Sequence, residues 1–149
     1  MLVQLVYIST CVGNQIDMDP EMFNAARARN IDRGIASVVL SNNIYYIHSI
    51  EGERDAVNKL YSTILRDTKH KNCIILRYLE ISKKDFEDFS VAFARLSDFD
   101  TTDGNTVGST ITIDPETITS SIAMSLLRRV AAHHYAHEGI HHRIRHRSE

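Results

Sequence analysis

The sequence has few cysteines, no long apolar run and little excess charge, and each shortage excludes a class of protein. Two cysteines, Cys11 and Cys73, occur in 149 residues, too few for a disulfide framework and without the spacing of metal ligands. No apolar run approaches the ~18 residues of a membrane span, and the first residues, MLVQLVY, lack the positive charge of a signal peptide. Seventeen basic and nineteen acidic residues give a net charge of −2, which provides no reason to expect binding to nucleic acid or to an anionic membrane. We therefore expect a cytoplasmic globular protein.

A β-hairpin is predicted in the middle of the chain. Two segments rich in β-branched, aliphatic and aromatic residues, Ile35–Leu40 and Ile44–Ile50, flank Asn42 and Asn43, which tolerate the positive φ of a tight turn. Because side chains alternate along a strand, His48 shares a face with the residues two positions before and after it. This pattern predicts a single histidine among apolar neighbours.

Two helices are predicted on either side of this hairpin. The first begins at Asp19, Pro20 and Glu21, where the aspartate caps free N–H groups and proline takes the first helical position; it ends near the amide of Asn30. The second spans Glu53–Asp67 and carries an apolar stripe at helical spacing. The stripe consists of Val57, Leu60, Tyr61, Ile64 and Leu65.

Further strands are predicted at Leu2–Ile8, Cys73–Leu79 and Phe89–Phe93. In the last of these, Phe89, Val91 and Phe93 are expected to share one face. The resulting order of elements favours a ferredoxin-like α/β sandwich, with a mixed five-stranded sheet and both helices on one face.

The C-terminal part is predicted to be a linker followed by a helix. Residues Ser97–Gly108 are polar, and an Asp-Pro-Glu sequence at Asp114 repeats the earlier helix start. An amphipathic stripe follows, which we expect to cover the open face of the sheet. It consists of Ile118, Ile122, Leu126 and Val130. We therefore divide the chain into a domain at 1–96 and an extension at 97–149.

The extension ends in a tail rich in histidine and arginine. His133 and His137 have the i, i+4 spacing of two metal ligands on a helix. Gly139 is expected to interrupt the helix, and no further ligand set completes a site, so no metal is predicted. The tail is instead expected to be exposed and to become more cationic below neutral pH. Its histidines are His133, His134, His137, His141, His142 and His146.

Four segments of the chain together form a recognisable pattern. They are LVQLVYIS at Leu2–Ser9, ARARNIDRGIAS at Ala26–Ser37, IEGERDAV at Ile50–Val57 and ILRDTKH at Ile64–His70. These segments resemble the BLUF family of flavin-binding blue-light sensors, in the family's order and spacing over roughly the first two thirds of the sequence. The resemblance implies the same ferredoxin-like sandwich, with the isoalloxazine ring of FAD, or of FMN, between two helices and the sheet. It also implies a C-terminal helix on the opposite face.

The resemblance implies a flavin site at five positions. The family's electron-donating tyrosine matches Tyr7, and the asparagine that hydrogen-bonds the flavin ring matches Asn30. Lys69 and His70 match a basic pair near the ribityl and phosphate end, where cations suit an anionic group. The glutamine that bridges the tyrosine and the flavin is replaced by His48.

The sequence departs from the family at the light switch itself. His48 stands for the glutamine, Ser37 for a glycine, and Phe89, Ser90 and Val91 for a Trp-x-Met segment. A neutral imidazole has one donor and one acceptor nitrogen, so it can bridge two groups, but it cannot exchange a carbonyl oxygen for an N–H donor. With an ordinary pKa it accepts a proton near neutral pH. We therefore expect altered photochemistry.

Three functions remain open at this point. The first is a flavin-binding light sensor that signals through contact with an unidentified protein partner. The second is a light-inactive scaffold for partner binding or homo-oligomerisation, with no flavin if the pocket is degenerate. The third, an enzyme, is weakest because no nucleophile–base pair or carboxylate dyad is recognisable. Without the resemblance, Tyr7, Asn30 and His48 are equally well interpreted as core and helix-end residues.

Overall fold

A computed structural model describes residues 1–13, 20–99 and 112–145, without the side chains of residues 99 and 135–145. Within these residues the chain forms a five-stranded sheet and three α-helices. The elements are β1 (Leu2–Cys11), α1 (Pro20–Asp32), β2 (Ala36–Ser41), β3 (Tyr45–Glu53), α2 (Arg54–Arg66), β4 (His70–Ile81), β5 (Ala92–Arg95), a 3₁₀ turn (Leu96–Phe99) and α3 (Ser120–Arg145).

The sheet has the strand order β4-β1-β3-β2-β5. Strand β1 pairs antiparallel with β3 and β4, and β2 pairs antiparallel with β3 and parallel with β5. The register places Tyr7 of β1 and Val39 of β2 directly beside His48 of β3. The mixed five-stranded sheet confirms the predicted ferredoxin-like class.

Apolar side chains fill both faces of the sheet. Because side chains alternate along β1, Leu5 and Tyr7 pack against Val57 and its neighbours on α2, while Val6 and Ile8 point the other way. The second face is covered by α3, as predicted. The buried residues of α3 are Ala123, Met124, Leu126, Leu127, Val130 and Ala131.

The hairpin between β2 and β3 is confirmed. Asn43 has φ 74°, a left-handed conformation that asparagine tolerates better than most residues. The side-chain oxygen of Asn42 accepts hydrogen bonds from the backbone N–H groups of Ile44 and Tyr45, at 3.1 and 2.8 Å. These bonds fix the turn that sets the register of β3.

The start of α3 differs from the prediction. Asp114 forms an isolated turn, accepting the backbone N–H of Ile118 at 2.9 Å, and the helix begins only at Ser120. Thr119 caps it, because its hydroxyl lies 3.2 Å from the Ile122 nitrogen. The buried face of the helix is centred near Leu127, and strict steps of four residues drift around an α-helix, so Ile122 falls outside this face and is 47% exposed.

Helix α3 runs on to Arg145, so the predicted interruption at Gly139 is wrong. The described helices include none long and apolar enough to cross a membrane. Residues 100–108 of the predicted linker and His146 of the tail lie outside the described residues. The division of the chain at residues 96 and 97 stays a prediction.

The last strand also differs from the prediction. It begins at Ala92, because the residues before it form a turn in which the Phe89 N–H bonds the Phe86 carbonyl at 3.0 Å. Phe89 therefore packs with the α3 core, whereas Val91 and Phe93 line the opposite face. The three residues do not share one face.

Candidate functional site

A cavity of about 490 Å³ lies between α1, α2 and the sheet. This volume is typical of a small-molecule or cofactor site. Apolar side chains of both helices line it, together with polar side chains of the central strands. All five predicted site residues line this cavity: Tyr7, Asn30, His48, Lys69 and His70.

Tyr7 forms the floor of the cavity on the central strand β1. It is fully buried, and its hydroxyl lies 2.8 Å from Nδ1 of His48. Its ring packs against that of Tyr61, with centroids 5.3 Å apart. Burial raises the pKa of Tyr7 well above its usual value, so the phenol keeps its proton in the resting protein.

His48 bridges two hydroxyl groups. The prediction of a single histidine among apolar neighbours is therefore wrong. While Nδ1 faces Tyr7, Nε2 lies 2.8 Å from Oγ of Ser37. Burial, helped by the nearby His70, lowers the pKa of His48 to about 3. The imidazole is therefore neutral at physiological pH, which corrects the expectation that it accepts a proton there.

Ser37 was recognised in the sequence only as a departure from the family pattern. It lies on β2, two residues before Val39, the residue directly opposite His48, and is 2% exposed. Diagonal neighbours on one sheet face are within reach of a long side chain. No local sequence signal predicts this contact, because it depends on the register of the hairpin.

Asn30 lies near the end of α1 and is 7% exposed. Its amide nitrogen donates a hydrogen bond of 2.8 Å to the carbonyl of Ser90. This bond ties α1 to the segment that leads into β5. It uses one of the two N–H donors of the amide. The side-chain carbonyl and the second N–H are the groups with which Asn30 can contact a ligand.

His70 is attached to the sheet at the other end of the cavity. Its Nδ1 lies 3.0 Å from Oγ of Ser9, and its ring packs on Tyr46 with centroids 5.0 Å apart. Burial lowers the pKa of His70, although Asp67 opposes the shift. His70 is therefore less cationic than its sequence suggested.

Cationic groups line the cavity at its exposed rim. Lys69 directly precedes β4, and its Nζ is 3.7 Å from the sulfur of Met22 on α1. Arg29 lies in the last turn of α1, Arg33 directly follows the helix, and both are exposed. The sequence did not identify these two arginines as site residues, because the run ARARNIDR indicated only the resemblance to the family.

The cavity contains a hydroxyl–imidazole pair that was not recognisable in the sequence. Ser37 and His48 do form a hydroxyl–imidazole pair at 2.8 Å, with Tyr7 on the other ring nitrogen. However, an imidazole with a pKa of about 3 is a weak base at neutral pH. The phenol of Tyr7 is uncharged and cannot stabilise an imidazolium as a carboxylate does.

Comparison with known families identifies the class of this protein. The family model of BLUF, described as sensors of blue-light using FAD, matches residues 2–92. The match covers more than half of the chain and all five cavity residues predicted from the sequence. The chain therefore belongs to the BLUF family of blue-light sensing modules.

Solved structures of BLUF proteins share its fold. The dark state of the BLUF protein BlrB has a TM-score of 0.68 at 23% identity, covering 88% of this chain and 96% of that one. The ground state of BlsA gives 0.67 at 22% identity, covering 88% of each chain. At this identity the similarity concerns the fold.

Klebsiella pneumoniae BlrP1, solved with FMN and cyclic diGMP, gives a TM-score of 0.60 at 23% identity. The match covers 65% of this chain and 26% of that one, so the chain spans about a quarter of the length of BlrP1. No curated protein matches the sequence significantly.

Proposed function

We propose that the cavity binds the isoalloxazine ring of a flavin, with Tyr7, Asn30 and His48 facing the ring. The observation that carries this proposal is their convergence on one 490 Å³ cavity from β1, α1 and β3. A flat apolar ring with a polar edge fits such a space, because α1 and α2 supply apolar walls and the sheet supplies hydrogen-bonding groups. When bound, the flavin supplies light absorption and one-electron chemistry.

The rim is suited to the phosphate end of the cofactor. Lys69, Arg29 and Arg33 provide positive charge there, and guanidinium groups bind phosphate through two parallel hydrogen bonds. His70, with its lowered pKa, contributes a neutral hydrogen-bonding group rather than a charge. We propose FAD as the bound form, in line with the family description, with FMN as the other candidate.

The chain acts as a sensor rather than an enzyme in this proposal. The Ser37–His48 pair is a poor nucleophile–base pair, because an imidazole with a pKa of about 3 is a weak base. A signal generated at the cavity leaves by protein–protein contact through α3, which packs on the opposite face of the sheet and contacts the backbone of Phe93 through His134. We place the protein in the cytoplasm, where its two unpaired cysteines stay reduced.

The outer strand β4 supports contact with a protein partner or a second copy. It forms one edge of the sheet, and such edges favour pairing with another chain. Four of its apolar side chains are between 39% and 50% exposed: Ile74, Ile75, Tyr78 and Leu79. Light scattering of dark and illuminated protein tests for self-association.

Reconstitution tests the flavin proposal directly. Purified protein is incubated with FAD or FMN, separated from free flavin, and the retained flavin is identified by chromatography after denaturation. Retention of FAD with a structured absorption band near 450 nm is expected for a flavin enclosed in an apolar cavity. Failure to retain either flavin contradicts the proposal and favours a scaffold, since the Tyr7–His48–Ser37 contacts are already complete without a ligand.

A further inference from the structure

Three cavity residues form one continuous hydrogen-bonded chain. Oη of Tyr7 lies 2.8 Å from Nδ1 of His48, and Nε2 of the same ring lies 2.8 Å from Oγ of Ser37. Both hydroxyl residues are buried, at 0% and 2% exposure. All three residues line the cavity, so the chain starts and ends beside the proposed ligand.

The neutral ring allows two directions of hydrogen bonding along this chain. In the first, Tyr7 donates to Nδ1, Nε2–H donates to Ser37, and the serine hydroxyl donates into the cavity. In the second, Ser37 donates to Nε2, Nδ1–H donates to Tyr7, and the phenol is the outer donor. The two arrangements differ in proton positions only, and the heavy atoms keep their places.

The first arrangement is favoured in the resting protein. A phenol is a stronger hydrogen-bond donor than a serine hydroxyl because it is the stronger acid. Tyr7 therefore donates to Nδ1, and the Nε2–H tautomer follows. Since the other ring nitrogen sets which nitrogen carries the proton, Ser37 receives a hydrogen bond and presents its own hydroxyl proton to the cavity.

We propose that Tyr7, His48 and Ser37 form a proton relay in which histidine tautomer exchange replaces side-chain rotation, with Ser37 as the terminal donor. The light-dependent role rests on the proposed function, in which the excited isoalloxazine ring is the one-electron oxidant. When Tyr7 loses an electron, its phenol proton moves to Nδ1, the Nε2 proton moves to Oγ, and the serine proton passes to an acceptor in the cavity. Tyr7 loses one electron and one proton, and His48 and Ser37 each gain and lose one proton.

The relay explains why serine and histidine occur together here. Without a hydroxyl at position 37, Nε2–H has no described partner in the chain, and a proton arriving at Nδ1 makes an imidazolium at a partly buried position. Burial disfavours that cation strongly, as the lowered pKa of His48 shows. A terminal hydroxyl removes the need for this charged species. Ser37 is thus a specificity-determining residue for proton transfer.

Nuclear magnetic resonance of ¹⁵N-histidine-labelled, flavin-free protein tests the chain without any light reaction. His48→Gln assigns the His48 signals. In the wild type we expect an Nε2–H tautomer with a slowly exchanging proton. Ser37→Ala should speed this exchange roughly tenfold, the factor expected for losing one hydrogen bond. Ser49→Ala is the matched control: Ser49 is also a buried serine, next to His48 in sequence, but its side chain lies on the other face of the sheet.

Flavin-loaded protein gives the second measurement, the rate at which Tyr7 loses its proton after a light pulse, followed by transient infrared spectroscopy. Ser37→Ala should slow this step roughly tenfold or more, and Ser49→Ala should leave it unchanged. Unchanged exchange and unchanged proton loss in Ser37→Ala overturn the relay, and so does an equal effect of both substitutions. If neither FAD nor FMN is retained, the proposed function fails separately, and the histidine measurement decides whether the hydrogen-bonded chain exists.

Discussion

His134 of α3 is hydrogen-bonded to the backbone of Phe93 in β5. Its Nε2 lies 2.7 Å from the Phe93 carbonyl oxygen and 3.2 Å from the Phe93 nitrogen, so one tautomer donates to the carbonyl and the other accepts from the N–H. The Phe93 side chain lines the cavity. A single residue of β5 therefore contacts the C-terminal helix through its backbone and the cavity through its ring.

Replacing His134 should weaken the attachment of α3 to the sheet. His134→Ala removes the hydrogen bond to Phe93 and the edge contact with the ring of Phe89, whose centroid lies 6.2 Å away. We expect a loss of about 1 kcal/mol in the free energy of unfolding, because a partly buried backbone group loses its partner. Urea denaturation followed by circular dichroism measures it. Arg129→Ala, at an exposed position of the same helix, should stay within about 0.5 kcal/mol of wild type, and an equal loss in both variants contradicts the assignment.

The core beneath α3 should be far more sensitive to truncation than the surface of α2. Leu127 is fully buried, whereas Leu65 is 54% exposed. Leu127→Ala should cost about 2–5 kcal/mol of folding free energy, since it removes buried methyl groups and leaves a cavity. Leu65→Ala makes the same chemical change and should cost less than about 1 kcal/mol. Chemical denaturation of both proteins gives the comparison, and similar midpoints would place α3 elsewhere than on this sheet face.

Asn30 should contribute to flavin binding through its position between α1 and β5. Asn30→Ala removes the bond to the Ser90 carbonyl and the amide that faces the cavity. The expected loss of flavin affinity is about 1–3 kcal/mol, the usual effect of leaving buried polar groups unpaired. Fluorescence titration with flavin measures this difference. Asn24→Ala, on the exposed side of the same helix, serves as the control, and equal affinities of the two variants would exclude Asn30 from the site.

The fold should lose stability in mild acid because of His48. Burial lowers its pKa from 6.5 to about 3. The unfolded chain therefore takes up a proton first as the pH falls, and the stabilisation present above pH 6.5 declines from there towards pH 3. Between pH 7.5 and pH 6 we expect the free energy of unfolding to fall by about 1 kcal/mol.

His48→Gln isolates this contribution to the pH dependence. The pKa of His70 is also lowered, so His70 adds to the slope in both proteins. The difference between the two unfolding free energies, measured from pH 8 to pH 5, therefore reports His48 alone. Parallel curves would show that His48 is not a buried neutral base.

The sequence predicted the elements whose signals are local. Hydrophobic spacing gave α2, and Asn42 and Asn43 gave the hairpin, because a turn needs only residues that tolerate its dihedral angles. The face of His48 followed from alternation along β3. These predictions need no knowledge of which strands are neighbours.

The errors occurred where distant parts of the chain meet. The two partners of His48 are 41 and 11 residues away in sequence, and only the sheet register brings them to its ring. Phe89 lies outside the predicted strand, in a turn where its N–H bonds the Phe86 carbonyl at 3.0 Å, and it packs with the α3 core, which a pattern of alternating residues does not reveal. Ile122 lies outside the buried face of α3, whose contact with the sheet follows residues spaced three and four apart and not four alone.

Light should distinguish the histidine bridge from a glutamine bridge. In the wild type, Tyr7 and Ser37 already occupy both ring nitrogens of His48, and proton exchange along this chain moves no heavy atom. The arrangement formed in light can therefore revert along the same hydrogen bonds without a rotational barrier. We expect no long-lived red shift of flavin absorption under blue light, and slow reduction of the flavin under prolonged illumination.

Glutamine at position 48 should restore a lasting spectral change. An amide presents an oxygen on one side and an N–H donor on the other, and exchanging them requires rotation or a change of amide tautomer that can be trapped. His48→Gln should therefore show a red shift that forms in blue light and recovers in the dark. Because Ser37 would still compete for the new amide, His48→Gln with Ser37→Gly should give a larger shift than His48→Gln alone. Absorption spectra of the three flavin-loaded proteins, recorded before, during and after illumination, decide the matter. A lasting, reversible red shift in the wild type would show that the tautomer formed at His48 in light is itself trapped. A lasting shift would then require no rotation of heavy atoms, contrary to our expectation.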